Sequence, residues 1–307
     1  MEFLRFLESL RTPFLDFFMS IVTYGGSELV FMLIALIFFW CVSKKTGYYI
    51  LVVGFFGTAI NQISKLLFHV PRPWVLDPEF TIVESARAGA TGYSFPSGHT
   101  QTAVGTYSCL FLSTKRRAVK IICVILILLV PFSRMYLGVH TPLDVGVAFV
   151  TALLLAALFR PAMEKANTSP RLMTGILLSM VAVCLGFLVF VTCYTFPADI
   201  DLENLAEGTK NAYTLTGALL GLVLSYWLDN RYIHFSTSAP IGVQIGKVLV
   251  GLVLILLVKE GLKTPLNLLF GGHYIATSIR YFCTVLVAGA AWPACFTWYS
   301  KHLKVSP

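Results

Sequence analysis

Charge is scarce in this sequence. Of its 307 residues only 12% are Asp, Glu, Lys or Arg, about half the share of an ordinary soluble domain. No basic block exceeds Lys115, Arg116 and Arg117, so the formal net charge of +8 does not form a nucleic-acid surface. Strand-length alternation of apolar and polar residues is missing, which excludes an outer-membrane barrel. The seven cysteines contain no CxxC pair and no Cys/His cluster, and all lie in or at the ends of apolar runs. They read as small core hydrophobes, neither a zinc site nor a disulfide framework. No internal repeat is visible, and Met1-Glu2-Phe3 lacks the positive start of a secretory signal.

Apolar residues are what the chain has in excess, at 57% of the total with a mean hydropathy of +0.78. They come in runs long enough to cross most or all of a hydrocarbon core of about 30 Å at about 1.5 Å per residue. The runs fall near 27–43, 46–70, 97–114, 118–136, 142–160, 172–197, 211–228, 241–262 and 277–298. The expected fold is therefore an all-α polytopic transmembrane bundle of about nine spans. Before them, Phe3, Phe6, Leu7, Leu10 and Phe14 recur at helical spacing opposite Glu2, Arg5, Glu8 and Arg11, the pattern of a helix lying in the interface. This divides the chain into an interfacial segment at 1–26, a core at 27–160 and a C-terminal four-span extension at 161–307.

Basic residues near spans favour the cytoplasm. One set of loops holds 13 of the 23 Lys and Arg, including Lys44, Lys45 and the run at 115–117, and the other holds 10 together with 13 of the 15 acids. The first set is expected in the cytoplasm. With nine spans, the N-terminus is then outside and the C-terminus inside.

Ionisable residues at span ends are costly and mark functional sites. Three groups recur: Lys65 with Arg72-Pro73, Pro96-Ser97-Gly98-His99, and Ser133-Arg134 with His140 and Asp144. Alternation of spans puts all three at the face opposite the basic loops. Lys65, Arg72 and Arg134 supply three cations for a phosphoryl group. Ser97, Gly98 and His99 open a helix whose free N–H groups add an anion site. Asp144, four residues after His140, can reach back to the imidazole Nδ1 and leave Nε2 as a lone-pair nucleophile, with His99 as proton donor. His69, His234, His273 and His302 read instead as structural. Trp74 is placed to border a substrate entrance, and Gly217, Ala218 and Gly221 predict close helix packing.

In order and spacing, Lys65-x6-Arg72-Pro73, Pro96-Ser97-Gly98-His99 and Ser133-Arg134-x5-His140-x3-Asp144 resemble the three-part signature of the type 2 phosphatidic acid phosphatase superfamily. That superfamily includes membrane lipid phosphatases, glucose-6-phosphatase and soluble vanadium haloperoxidases. The resemblance covers about residues 27–160, and the last four spans carry no assignable motif. It implies that His140 attacks phosphorus to form a phosphohistidine, that His99 protonates the leaving oxygen and that Asp144 orients His140. Lys65, Arg72, Ser97, Gly98 and Arg134 would bind the phosphoryl oxygens, with no metal or other cofactor.

The expected activity is a metal-independent phosphatase in a membrane, the plasma membrane in a bacterial cell, with its site extracytoplasmic. Its expected substrate is a lipid phosphate or isoprenyl pyrophosphate reached from among the membrane lipids. The alternatives are a glucose-6-phosphatase-like sugar phosphatase, to which nine spans with an outer N-terminus are similar, and an anion transporter. Against the transporter stand the missing repeat and the clustering of charge at one face.

Overall fold

The computed structural model describes residues 1–166 and 168–302, so Asn167 and the last five residues of the expected extension lie outside it. Among the described residues there is no strand. The helices are α1 (Glu2–Ser9), α2 (Pro13–Thr23), α3 (Glu28–Ile37), α4 (Lys44–Phe68), α5 (Pro73–Leu76), α6 (Gly98–Ser113), α7 (Arg117–Tyr136), α8 (Pro142–Ala166), α9 (Pro170–Cys193), α10 (Leu202–Leu228), α11 (Ile241–Gly261), α12 (Lys263–Leu269), α13 (Ile275–Leu286) and α14 (Trp292–His302). Their starts follow local capping chemistry. Thr12 and Ser169 accept N–H bonds from Leu15 and Leu172 just before Pro13 and Pro170, and Ser97 accepts one from Thr100.

Six helical stretches are long and apolar enough to cross a membrane, and a seventh results if α2 and α3 with its continuation to Val42, bent by 50°, count as one. The nine expected spans are therefore not all met on these grounds. All nine apolar runs are helical, but α6 has only 16 residues, and α10 begins with Glu203, Glu207 and Lys210. Large apolar side chains stand exposed along the long helices, among them Ile121, Ile125 and Leu128 of α7 and Leu249, Val253 and Leu256 of α11. Such bands suit contact with hydrocarbon. Of the cysteines, Cys109, Cys123 and Cys184 are buried as expected, whereas Cys193 and Cys295 are exposed.

The chain forms two compact units. One comprises Met1–Leu33, Tyr49–Ala162 and Thr195–Gly208; the other comprises Ile34–Tyr48, Met163–Tyr194 and the chain from Thr209 on. In the first, Met19, Ala86, Ala90, Tyr136, Leu137 and Val139 form a buried cluster joining α2, the loop after α5 and the α7–α8 turn. Trp74 packs against this cluster, with the guanidinium groups of Arg72 and Arg87 over its ring at 5.9 and 5.4 Å. The polar side of α1 and the turn after it is bonded to protein: Arg5 Nη2 donates to Asp77 Oδ2 at 2.7 Å, Glu8 accepts from Thr81, and Arg11, just past α1, donates through Nη1 to the Thr81 carbonyl at 2.8 Å. Phe3, Phe6, Leu10 and Phe14 of the apolar stripe are exposed, whereas Leu7 of the same stripe is buried.

In the second unit the small-residue stripe is used as expected. A Cβ on Gly217 would stand 2.0 Å from the Ser278 carbonyl oxygen, and one on Gly221 2.7 Å from that of Phe282, so α10 lies backbone to backbone on α13. Trp40 Nε1 donates to the Ala288 carbonyl at 2.9 Å.

Candidate active site

The three sequence groups converge in the first unit. Lys65 lies in the last turn of α4, Arg72 just before α5, Ser97 at the cap of α6 with His99 in its first turn, Arg134 in the last turn of α7, and Asp144 in the first turn of α8. His140 occupies the α7–α8 turn. That turn reverses at Gly138, whose φ of +80° is a left-handed conformation that glycine holds without steric cost. A Cβ there would also meet Arg11 Nη2 at 2.6 Å.

His140 is 2% exposed and Asp144 1%. Arg72 Nη1 lies 3.0 Å from His140 Nε2. A guanidinium can only donate, so Nε2 carries the lone pair and Nδ1 the proton. On the Nδ1 side, Asp144 Oδ2 is 3.5 Å away and Ser94 Oγ 3.4 Å. Ser94 in turn donates to Asp144 Oδ2 at 2.6 Å, and the Thr141 N–H donates to the same oxygen at 2.7 Å. The carboxylate therefore reaches the imidazole in company with a serine hydroxyl. Burial, reinforced by the positive charges of Arg72, Arg134 and Lys65, holds the His140 imidazole well below its ordinary pKa.

The cations are held by backbone carbonyls. Arg72 donates through Nη2 to Thr91 O at 2.6 Å, through Nε to Gly92 O at 3.0 Å and through Nη1 to Val139 O at 3.0 Å. Lys65 Nζ donates to Tyr93 O. Three consecutive carbonyls, 91 to 93, thus position two cations. That loop is fastened in turn by Thr91 Oγ1 donating to Glu207 Oε1 at 2.7 Å and by the Asp201 N–H donating to Tyr93 Oη at 3.1 Å. Beside it, a cavity of about 450 Å³ is lined by Arg72, His69, Tyr93, Asp199, Asp201 and Asn204, among others.

Arg134 is 1% exposed. Its Nη1 donates to Thr23 Oγ1 at 2.7 Å, while Nε and Nη2 are buried with no hydrogen-bond partner among the described residues. A buried guanidinium with two idle donor nitrogens is expensive unless an anion completes it.

One expectation is narrowed by the structure. The Ser97 N–H is not free for an anion, because the extended backbone at this cap turns it onto the Asp144 carbonyl at 3.1 Å; the N–H groups of Gly98 and His99 remain at the helix start. Ser133 Oγ is likewise satisfied, donating to the Val130 carbonyl at 2.6 Å. At Gly98, an added Cβ would approach nothing closer than Asn61 Oδ1 at 3.8 Å, so no protein packing demands a glycine there. His99 is half-buried, beside Gly89, and a Cβ on Gly26 would meet its carbonyl oxygen at 2.5 Å. His69 stacks edge-on against Tyr93 and leaves its Nε2 buried with no hydrogen-bond partner among the described residues, while His273 Nδ1 accepts the Ile275 N–H at 3.1 Å.

Sequence reading missed Ser94, Thr23, Thr91 and Glu207. Ser94 stood two residues before the Pro96 motif and carried a signal only by proximity. The others contribute through contacts made at long sequence separation, which spacing does not reveal.

An all-α membrane protein with a buried cationic pocket around one oriented histidine is the class of molecule that fold and site define. Comparison with known proteins places it further. Residues 45–168 match the PAP2 superfamily, and residues 213–303 match the family described as PAP2 superfamily phosphatase, transmembrane extension. The chain belongs to the PAP2 superfamily, and it is a membrane phosphatase, hence a hydrolase. Phosphatidylglycerophosphatase B of Bacillus subtilis is 33% identical over 172 residues, covering 51% of this chain and 79% of that protein. Sphingosine-1-phosphate phosphatase 2 of Mus musculus is 25% identical over 280 residues, covering 82% of this chain and 74% of its own length. Undecaprenyl-diphosphatase BcrC of Bacillus subtilis is 32% identical over 117 residues, 38% of this chain and 58% of that protein. No solved structure matches significantly.

Proposed function

We propose that this protein hydrolyses the terminal phosphate of a membrane lipid, a phosphomonoester or diphosphate, through a phosphohistidine on His140. The observation that carries the reading is the buried arrangement of Arg72, Lys65 and the half-satisfied Arg134 around an imidazole whose Nε2 lone pair is free of a proton. The phosphoryl group enters where Arg72 now meets Nε2. Arg72 Nη1 passes to a phosphoryl oxygen, and the idle Nε and Nη2 of Arg134 take up others in a forked pair. The Gly98 and His99 N–H groups add the helix-start contribution. Nε2 attacks phosphorus while His99 gives a proton to the departing oxygen; Asp144, with Ser94, balances the positive charge that grows on the ring. Water then cleaves the phosphohistidine, with His99 now removing its proton. These cations come from side chains, so the reaction needs no metal ion.

The lipid class is supported by the names of the three relatives, all of which act on lipid phosphates, and by the setting of the site within an integral membrane protein. The sphingosine-1-phosphate phosphatase match spans most of this chain, which favours a single-phosphate lipid. We assign the core to 27–160, the extension to 161–307 and the site to the extracytoplasmic face, on the loop charges.

The test is phosphate release by the purified full-length protein in EDTA, from sphingosine 1-phosphate, phosphatidylglycerophosphate, undecaprenyl diphosphate and glucose 6-phosphate. Turnover of one or more lipids with none of the sugar phosphate is expected, together with inhibition by vanadate, which can bond to His140 as a five-coordinate mimic. Preference for glucose 6-phosphate, or a magnesium requirement, overturns the reading.

A further inference from the structure

The unit built from Ile34–Tyr48, Met163–Tyr194 and the chain from Thr209 on encloses a cavity of about 230 Å³ that takes no part in the chemistry above. Its polar lining comes from Lys44, Lys45, Tyr48, Tyr226, Asp229, Asn230 and His234, and its apolar lining includes Met163 and Met173. Two independent features mark it as a place for a ligand.

The first is Tyr48. It is 6% exposed, lines the cavity, and its hydroxyl has no hydrogen-bond partner among the described residues. A buried phenol is ordinarily paired, and an idle one in the wall of a cavity is a donor that an acceptor from outside the protein could use.

The second is the charge balance. Asp229 is the acid of the lining, and both of its oxygens are occupied: Oδ2 accepts from Lys44 Nζ at 2.6 Å and Oδ1 from the Phe235 N–H at 3.2 Å. Lys44 is further settled over the Phe235 ring, 3.6 Å from its centroid. Lys45 therefore stands as the cavity's unneutralised cation, at the first turn of α4, where the helix end adds partial positive charge. His234, expected to be a structural residue, lines the cavity in a left-handed conformation with φ of +49°, its N–H tied to the Asp229 carbonyl at 2.9 Å. Non-glycine residues rarely hold that backbone, and functional sites are where such residues gather.

The geometry points to a second anion site: a phosphate group held by the Lys45 ammonium, the Tyr48 hydroxyl and His234. The volume suits a phosphate with a small attached group. Lys44 and Lys45 belong to the basic loop set, so a lipid headgroup would come from the leaflet on that side, whereas free phosphate would come from the adjoining solution. The site is independent of which substrate the enzyme hydrolyses.

The experiment is a thermal titration of the full-length protein in phosphatidylcholine nanodiscs, with added phosphatidylglycerol in one arm and inorganic phosphate in the other. Wild type is compared with Lys45→Gln, Tyr48→Phe and Lys115→Gln, the last an exposed lysine outside the cavity. The catalytic pocket contributes equally to all four, so their differences report the cavity. We expect stabilisation whose midpoint moves to about tenfold higher ligand concentration in Lys45→Gln and Tyr48→Phe, as for loss of a charge-assisted bond. Lys115→Gln should match wild type, and turnover in plain phosphatidylcholine should be unchanged in all. An effect in the lipid arm alone identifies a headgroup site, and one in both arms a general phosphate site. Tyr48→Phe removes only an oxygen that has no partner, so its folding is not in question. Coincident midpoints for wild type, Lys45→Gln and Tyr48→Phe in both arms overturn the proposal, as does an equal loss in Lys115→Gln.

Discussion

His140 and His99 are both imidazoles near the same three cations, yet their surroundings give them different work. At His140 the Arg72 donor fixes the lone pair on Nε2, and Ser94 with Asp144 receives the Nδ1 proton side. His99 stands half-buried at a helix start. If His140 is the nucleophile, His140→Ala abolishes turnover of every substrate. His99→Ala removes only leaving-group protonation, a contribution typically worth about 10² to 10⁴ in rate. A p-nitrophenolate leaves with little help from an acid, so His99→Ala should still accumulate phosphohistidine from p-nitrophenyl phosphate, and His140→Ala should form none. Acid-labile, base-stable radiolabel trapped on each variant decides this; label retained on His140→Ala would reverse the assignment.

Among the elements, the loop at 91–93 does most to set the site, since its carbonyls hold Arg72 and Lys65. Its own position depends on Glu207, a residue of α10 more than a hundred positions further along, through Thr91. Losing that hydrogen bond lets the carbonyls and their cations drift. Glu207→Ala and Thr91→Val should therefore raise KM roughly fivefold, the worth of about 1 kcal/mol, with a much smaller change in kcat. Glu207→Gln, whose amide oxygen can still accept from Thr91, should recover most of the loss. A fall in kcat with KM unchanged would argue against positioning. The α10–α13 contact gives a separate stability test. Gly217→Ala places a carbon 2.0 Å from a backbone oxygen that cannot yield like a flexible side chain, and should cost about 1–3 kcal/mol. Gly175→Ala in α9 meets nothing within 4 Å and should be neutral or stabilising by about 0.5–1 kcal/mol. Thermal unfolding of the two variants side by side checks both.

At the scale of the whole molecule, the loop charges make a directional prediction. In a background lacking the native cysteines, Glu79→Cys and Asp199→Cys should react with an impermeant thiol reagent added to intact cells, and Arg116→Cys should not. The reverse pattern would place the site in the cytoplasm. Much of this protein was determined by local chemistry that any reader of the chain can follow. Hydropathy dictates helices in lipid because unpaired backbone groups are prohibitive there, and the three motifs name the residues that meet at the site. The glycine stripe at 217–221 announces its helix contact, because small side chains are useful only where backbones approach. Span number was less legible: α6 is short, α10 mixes charge with apolar residues, and α2 with α3 is broken by a bend. What only the tertiary structure decided is which polar groups are already spent. The Ser97 N–H goes to the Asp144 carbonyl, the polar face of α1 goes to the 77–81 loop, and both Asp229 oxygens are taken, while Arg134 and Tyr48 keep donors idle. Whether a hydrogen-bonding group is satisfied depends on partners brought from far along the chain, and that pairing is a property of the folded molecule.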